Sequence, residues 1–261
     1  EEKALARFDR KSYLYLREIN DNYGKVKPVA ENKVRVLICQ TKYTVPQNEI
    51  RYRFEKLGAD VKVFPLTENN MTDFVRNLKK TDILWLGNGI SSHSFLTAVL
   101  TDKRVRAELS AVEDRKGLIC GFGSAVRSLS ESGLLGLDAE KVRFLTNGGE
   151  TVNESVESVC ASRFSPFMRK CEEGKSYKMY LSTGDFRMEI DGDYAEYLAY
   201  GGRISSQYAI GNDAGISSYS IDAVCSENGL IMGQLSSVTG EDKTMPLIES
   251  AIGYFADYKT M

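Results

Sequence analysis

The first half of the chain alternates short apolar runs with segments of helical periodicity. The apolar runs predict buried strands at 33–39, 59–64, 82–87 and 117–121. Apolar residues that recur every three or four positions predict helices at 46–58, 70–80 and 94–114, and a further helix that ends near residue 132. This alternation is typical of a parallel sheet that is covered by helices on both faces.

The second half is richer in strand patterns. Candidate strands lie at 151–162, 175–182, 186–190, 204–210, 220–226 and 229–235, and glycine, aspartate and asparagine turns separate them. A closing helix at 246–255 has an apolar face of Leu247, Ile248, Ala251, Ile252 and Phe255. We therefore predict an α/β fold: an open, mostly parallel sheet with helices on both faces, plus an antiparallel β insertion.

Composition restricts the class of protein further. The 261 residues are 42% hydrophobic and 27% charged, which excludes a disordered or low-complexity chain. A formal net charge of -2 provides no electrostatic attraction for nucleic acid or an anionic membrane. No run approaches the roughly 20 apolar residues of a membrane span. The charged N-terminal arm, 1–30, lacks an apolar signal core, so we expect a cytoplasmic protein.

Histidine and cysteine usage limits the chemistry. His93 is the single histidine, so a His-rich metal site is excluded and any imidazole base must be His93. The five cysteines include no C-x-x-C pair, and three of them end apolar runs, which indicates buried, reduced thiols. We expect neither a metal nor a cofactor.

The run 117–135, GLICGFGSAVRSLSESGLL, has the layout of a nucleophile elbow, a strand–turn–helix that lifts one side chain above a sheet. Gly121 and Ala125 are the small residues that allow such a turn to close. The residue between them is Gly123, which has no side chain and therefore no nucleophile. Ser124 is expected to be the N-cap of the helix.

This run resembles the elbow of the glutaminase domain of phosphoribosylformylglycinamidine synthase, a class I glutamine amidotransferase of purine biosynthesis. The family sequence has the form G-L-I-x-G-I-C-N-G-F-Q-A-L-x-x-x-G-L-L, and Gly123 falls on its nucleophilic cysteine. The resemblance covers roughly 30–261 and continues in FEKLGADV (54–61), LSTGDFR (181–187), GGRISSQY (201–208) and the segment 218–235. It implies a flavodoxin-like amidotransferase domain at 31–261, preceded by an arm or linker from another domain at 1–30.

The departures from the family concern its chemistry. Its cysteine, histidine and glutamate correspond by position to Gly123, Ser237 and Thr239, so all three catalytic side chains are absent. The loop after the third strand, at Asn88 and Gly89, also departs from the family's P-G-G-F. The resemblance therefore implies a catalytically inactive glutaminase-like domain with a structural, docking or regulatory role. Its partner would be a synthase domain or another protein, and the departures argue against glutamine binding.

An alternative is a repurposed hydrolase or small-molecule binder that uses the cleft in which the family has its glutaminase site. Ser124 would be its nucleophile and His93 its base, with Asp82 or Asp185 as the group that orients the imidazole. Asn88, Gly89 and Gly121 would complete this cleft. Cys120 lies within the fourth strand, so we expect it to be buried rather than nucleophilic.

Overall fold

The computed structural model describes residues 33–41, 47–87, 93–145, 154–181, 187–209, 217–238 and 244–258. The strands in these ranges are β1 (Arg35–Gln40), β2 (Asp60–Pro65), β3 (Ile83–Leu86), β4 (Leu118–Phe122), β5 (Val142–Leu145), β6 (Glu154–Cys160), β7 (Ser176–Leu181), β8 (Arg187–Ile190), β9 (Ile204–Tyr208), β10 (Ile221–Cys225) and β11 (Ile231–Gln234). The predicted strands are thereby confirmed with small shifts at their ends. The pattern did not reveal β5, which pairs with β8 in a separate two-stranded sheet.

Nine strands form one sheet in the order β2-β1-β3-β4-β11-β10-β9-β6-β7. The first five are parallel to one another, and their order is that of a flavodoxin-like doubly wound sheet. The strands from β11 to β7 pair in antiparallel fashion. The antiparallel insertion therefore continues the parallel sheet instead of forming a separate layer.

The helices of the described ranges are α1 (Asn48–Lys56), α2 (Met71–Leu78), α3 (His93–Thr101), α4 (Lys103–Asp114), α5 (Ser124–Glu131), α6 (Gly192–Tyr200) and α7 (Leu247–Tyr258). The prediction of one helix at 94–114 is wrong. Asp102 has an extended ψ of 130° and caps α4 by accepting the N–H groups of Arg104 and Val105, so the helix is interrupted there. The prediction also missed α6.

The side chains of β4 show that helices cover both faces of the sheet. Gly121 faces α5, where an added Cβ would lie 2.7 Å from Leu129 Cδ1. Phe122 points the opposite way and packs against Trp85 with ring centroids 4.5 Å apart. Trp85 in turn contacts Phe54 of α1 edge to face at 5.3 Å. Successive residues of a strand face opposite sides of the sheet, so α5 and α1 lie on different faces.

The antiparallel half of the sheet curls back on itself. Ser237, just beyond β11, pairs with Tyr180 of β7 although these strands lie apart in the sheet order. Tyr180 donates its N–H to the Ser237 carbonyl at 2.9 Å, and Ser237 donates to the Tyr180 carbonyl at 2.7 Å. Because β7 meets the end of β11 in this way, the strands from β11 to β7 enclose a small interior of their own.

Candidate functional site

The carboxyl ends of β3, β4 and β11 lie side by side at one edge of the sheet. Gly121 is in register with Leu86 of β3 on one side and with Gly233 of β11 on the other. One residue beyond β4, Gly123 donates its N–H to the Gln234 carbonyl at 2.9 Å. In open α/β folds this edge is where ligands bind and where catalytic loops lie.

Gly123 adopts the backbone conformation of an elbow residue. Its φ of 55° and ψ of -121° lie in a region that side-chain-bearing residues enter only at a cost. A nucleophile elbow holds its catalytic residue in such a strained turn between strand and helix. Here glycine occupies the turn without strain, and it presents no reactive atom. The turn between β4 and α5 thus has the positive φ of an elbow, and the residue at its centre bears no side chain.

The close approach of strand and helix explains the small residues around the elbow. A Cβ on Gly121 would meet Leu129 Cδ1 at 2.7 Å and the Ala125 Cβ at 3.1 Å. A Cβ on Gly233 of β11 would meet Val126 Cγ1 at 2.8 Å. Both glycines therefore let α5 pack directly on β4 and β11. The expected need for small residues at 121 and 125 has this physical cause.

Ser124 and His93 lie near the same helix. Ser124 is the first residue of α5 and is only 1% exposed, while Gly123 holds the N-cap position. The prediction that Ser124 is the N-cap is therefore wrong by one residue. His93 begins α3, and its backbone carbonyl accepts a hydrogen bond from Ser128 Oγ at 2.9 Å, one turn after Ser124. Burial of the Ser124 hydroxyl is unfavourable for attack on a substrate that arrives from solvent.

The other residues predicted for the site are placed as follows. Cys120 is buried within β4, and burial raises the pKa of its thiol well above the ordinary value, which disfavours the nucleophilic thiolate. Ser237 lies in the bridge to Tyr180. Its Oγ is buried and has no hydrogen-bond partner among the described residues. Asn88, Gly89, Asp185 and Thr239 lie outside the described residues, and Asp82 binds Arg35 at the other end of the sheet.

Asp222 of β10 forms a buried polar centre that the sequence pattern did not reveal. Its carboxylate accepts hydrogen bonds from Ser158 Oγ (2.6 Å), Ser206 Oγ (3.2 Å), Gln234 Nε2 (2.9 Å) and Ser236 Oγ (2.7 Å). It also accepts the backbone N–H of Ser236 at 2.8 Å. These donors come from β6, β9, β11 and the segment after β11, so one carboxylate connects the strands of the curled half. The signal in the sequence was an acid within an apolar strand, I-D-A-V-C.

An open α/β sheet with a strand–elbow–helix at the carboxyl end of β4 is the fold of the class I glutamine amidotransferases. Solved structures confirm the predicted fold. A chain of PurLQS from Thermotoga maritima superposes with a TM-score of 0.66 at 20% identity, covering 86% of this chain and 100% of that one. A putative GMP synthase protein from Thermoplasma acidophilum gives 0.58 at 11% identity, with 88% and 98% covered. The glutaminase domain of Trypanosoma brucei CTPS, solved with bound acivicin, gives 0.52 at 14% identity, with 85% and 94% covered.

At these identities the likeness establishes the fold and leaves function to be argued from the residues. No protein-family model matches the sequence, and no curated protein matches it. Within the described ranges, no helix has the length and apolar composition needed to cross a membrane. Nor do three His, Cys, Asp or Glu side chains converge there as metal ligands would.

Proposed function

We propose that this chain is a catalytically inactive glutaminase-like domain, related to that of phosphoribosylformylglycinamidine synthase, with a structural, docking or regulatory role. The observation that carries the proposal is Gly123. Gly123 has the positive φ of an elbow residue and donates its N–H to the Gln234 carbonyl, yet it bears no side chain. Glutamine hydrolysis by this fold proceeds through attack by a thiolate, and glycine cannot form one.

The segment after β11 supports the same proposal. In the resembling family this segment provides the histidine and glutamate, where this chain has Ser237 and Thr239. A serine hydroxyl cannot replace an imidazole as proton shuttle near neutral pH, because its own proton is far too tightly held. Ser237 is moreover engaged through its backbone with Tyr180. The loss therefore extends to the base as well as the nucleophile.

The packing of the fold supports a docking role. The described residues form an extensive buried core and the hydrogen-bonded Asp222 centre, so the domain can be stable without catalytic side chains at Gly123 and Ser237. Such a domain presents a stable surface to a synthase domain or another protein, and the synthase would then receive ammonia from solution or from a different polypeptide. A chain of the PurLQS structure from Thermotoga maritima has this fold, and that likeness is consistent with a role in such an assembly.

The direct test is glutamate release from glutamine by the purified chain. The proposal expects a rate equal to that of the protein-free control across a range of protein concentrations. A rate that rises in proportion to the protein, and that size-exclusion chromatography assigns to this chain, would contradict it. The docking role is tested separately by affinity purification from the source cells, in which a synthase polypeptide is expected to co-purify in stoichiometric amount.

A further inference from the structure

Exposed aromatic side chains gather around α6. Tyr197 is 56% exposed and Tyr200 is 93% exposed, and their spacing of three residues makes them neighbours on one face of the helix. Tyr219 borders the first residue of α6, and Phe164 borders the turn that follows the helix. Within the described residues, four of the six exposed large apolar side chains thus lie on or beside this one helix. We call these four side chains the aromatic face.

Tyr219 is held in this position by an unfavourable backbone conformation. Its φ is 57° and that of Ser220 is 54°, so two consecutive residues with side chains adopt the left-handed region. Gln207 Nε2 stabilises the turn by donating to the Tyr219 carbonyl at 2.8 Å, and Ser220 N–H donates to the Ser217 carbonyl at 3.0 Å. The Tyr219 hydroxyl rests against Gly192, where an added Cβ would lie 2.8 Å from it. Strain of this kind is concentrated at sites that bind a ligand.

The helix that carries this face is acidic. α6 contains Asp193 and Glu196, both exposed, and neither lysine nor arginine. Each carboxylate lies one helical turn before an exposed tyrosine, Asp193 before Tyr197 and Glu196 before Tyr200, so a negative charge accompanies each ring. The whole chain has a formal net charge of only -2, so negative charge is concentrated here. Such a surface repels the phosphates of nucleic acid and also a second copy of itself.

An arginine side chain of a partner fits this arrangement. A guanidinium group can stack on a tyrosine ring while its N–H donors fork onto a carboxylate, which a lysine ammonium cannot do. The chain itself places a cation on a tyrosine of α6, since Lys141 Nζ lies 5.6 Å from the ring centroid of Tyr194. The Tyr194 ring in turn stacks on Tyr197 with centroids 5.7 Å apart. Tyrosine and arginine are also residues that contribute strongly to binding at protein interfaces.

We propose that the aromatic face docks a cationic surface of a partner protein, whose arginine side chains stack on the tyrosine rings and pair with Asp193 and Glu196. This inference rests on the docking role proposed above and assigns that role to a surface of this chain. Since the attraction is between charges on an exposed surface, the affinity falls as the salt concentration rises. Exposed apolar area of this kind, next to charged residues, is typical of an interaction site on a soluble protein.

The first test is photo-crosslinking of the full chain in the source cells. The photoreactive residue p-benzoyl-phenylalanine replaces Ala199, which is exposed on α6 and leaves the aromatic face intact, or Leu57, an exposed residue at the end of α1 that serves as the control position. We expect position 199 to crosslink to one polypeptide, through a peptide that contains arginine, and position 57 to give no such product.

The second test measures the affinity of that polypeptide, once purified, for variants of the chain by calorimetry. Tyr200→Ser and Glu196→Lys should each weaken binding by about tenfold or more, because each removes half of the arginine contact. Glu68→Lys is the matched control: it makes the same change of charge at an exposed acid outside α6, and it should bind like the unmodified chain. Circular dichroism checks that each variant folds, and high salt should weaken binding of the unmodified chain.

The proposal fails if both positions crosslink equally, if position 199 joins two copies of this chain or an acidic peptide, or if Tyr200→Ser and Glu196→Lys bind like Glu68→Lys. When a synthase polypeptide co-purifies and one of these results is found, the docking role stands and only its assignment to α6 is overturned. When nothing co-purifies and neither position crosslinks, the docking role and this inference fail together.

Discussion

The carboxylate of Asp222 binds Ser236 twice, accepting its backbone N–H at 2.8 Å and its hydroxyl at 2.7 Å. Asp222 lies on β10, and Ser236 begins the segment that follows β11. Leu235 N–H also donates to the Asp222 carbonyl at 2.8 Å. Asp222 therefore binds two consecutive residues, Leu235 through its backbone and Ser236 through its side chain. This segment is the one that provides the catalytic base in the resembling family. In this chain its polar contacts serve to fix the backbone.

We expect Asp222→Asn to destabilise the fold by about 3 kcal/mol, because the amide group would place hydrogens against buried donors that then lose their acceptor. Urea unfolding measures this free energy. Asp191→Asn is the matched control: Asp191 is an exposed N-cap whose side chain accepts the Tyr194 N–H, and asparagine caps equally well. If Asp222→Asn lowered the free energy of unfolding by less than about 0.5 kcal/mol, as the control should, the carboxylate would not be what stabilises the antiparallel half of the sheet.

Gly121→Ala should destabilise the protein by about 2 kcal/mol, because the new Cβ would overlap the buried Leu129 side chain in the contact between α5 and β4. Gly253→Ala provides the comparison. Its Cβ would meet only the flexible end of Lys170 at 3.0 Å, within α7, where alanine is the better helix former. Thermal melts should therefore show a lower Tm for the first variant and an unchanged or higher one for the second. Equal Tm values would mean that the elbow tolerates a looser contact.

Alkaline pH should weaken the fold through its buried thiols. Burial raises the pKa of Cys39, Cys120 and Cys225, so each stays protonated in the native state while it ionises in the unfolded chain. The resulting loss of unfolding free energy is absent below a pH of about 8.5, where the thiols of the unfolded chain are protonated. Above that pH the loss grows by about 1.4 kcal/mol per thiol and pH unit. Urea unfolding between pH 8 and 10 should show this decline, and Cys120→Ala should make it shallower. An identical slope in the variant would contradict the assignment.

Ser124→Ala tests the repurposed-hydrolase alternative. Because Ser124 is buried at the start of α5, we expect the variant and the unmodified chain to hydrolyse p-nitrophenyl acetate at the same background rate. Ser128→Ala is the control, since it removes the hydroxyl that binds the His93 carbonyl and leaves Ser124 in place. A tenfold or greater loss in Ser124→Ala alone would restore Ser124 as a nucleophile.

Local patterns were sufficient to predict most of the strands, since buried strands such as β3 and β4 are unbroken apolar runs. They failed for α6, whose apolar face is narrow and whose exposed face carries Tyr197 and Tyr200 between glycine-rich turns. They also failed at Asp102, because a single capping side chain divides a continuous helical pattern.

The candidate site likewise has one part that the sequence could predict and one part that it could not. The elbow could be recognised because strand, small residues and helix are contiguous in the sequence. The Asp222 centre could not, because its partners lie 12 to 64 residues away and meet only when the antiparallel half curls. The bridge between Tyr180 and Ser237 likewise depends on curvature that no local pattern encodes.

The central claim, that the glutaminase chemistry has been erased at the elbow, is tested most directly by coupled measurement of glutamate release with the unmodified chain, Gly123→Ala and Gly123→Cys. Gly123→Ala controls for the cost of a side chain at a positive φ, about 1–3 kcal/mol of stability. We predict that all three release glutamate at the protein-free rate, because Gly123→Cys restores a thiol without the histidine that would activate it. Glutamate release by the unmodified chain above that rate, in proportion to its concentration, would contradict the account.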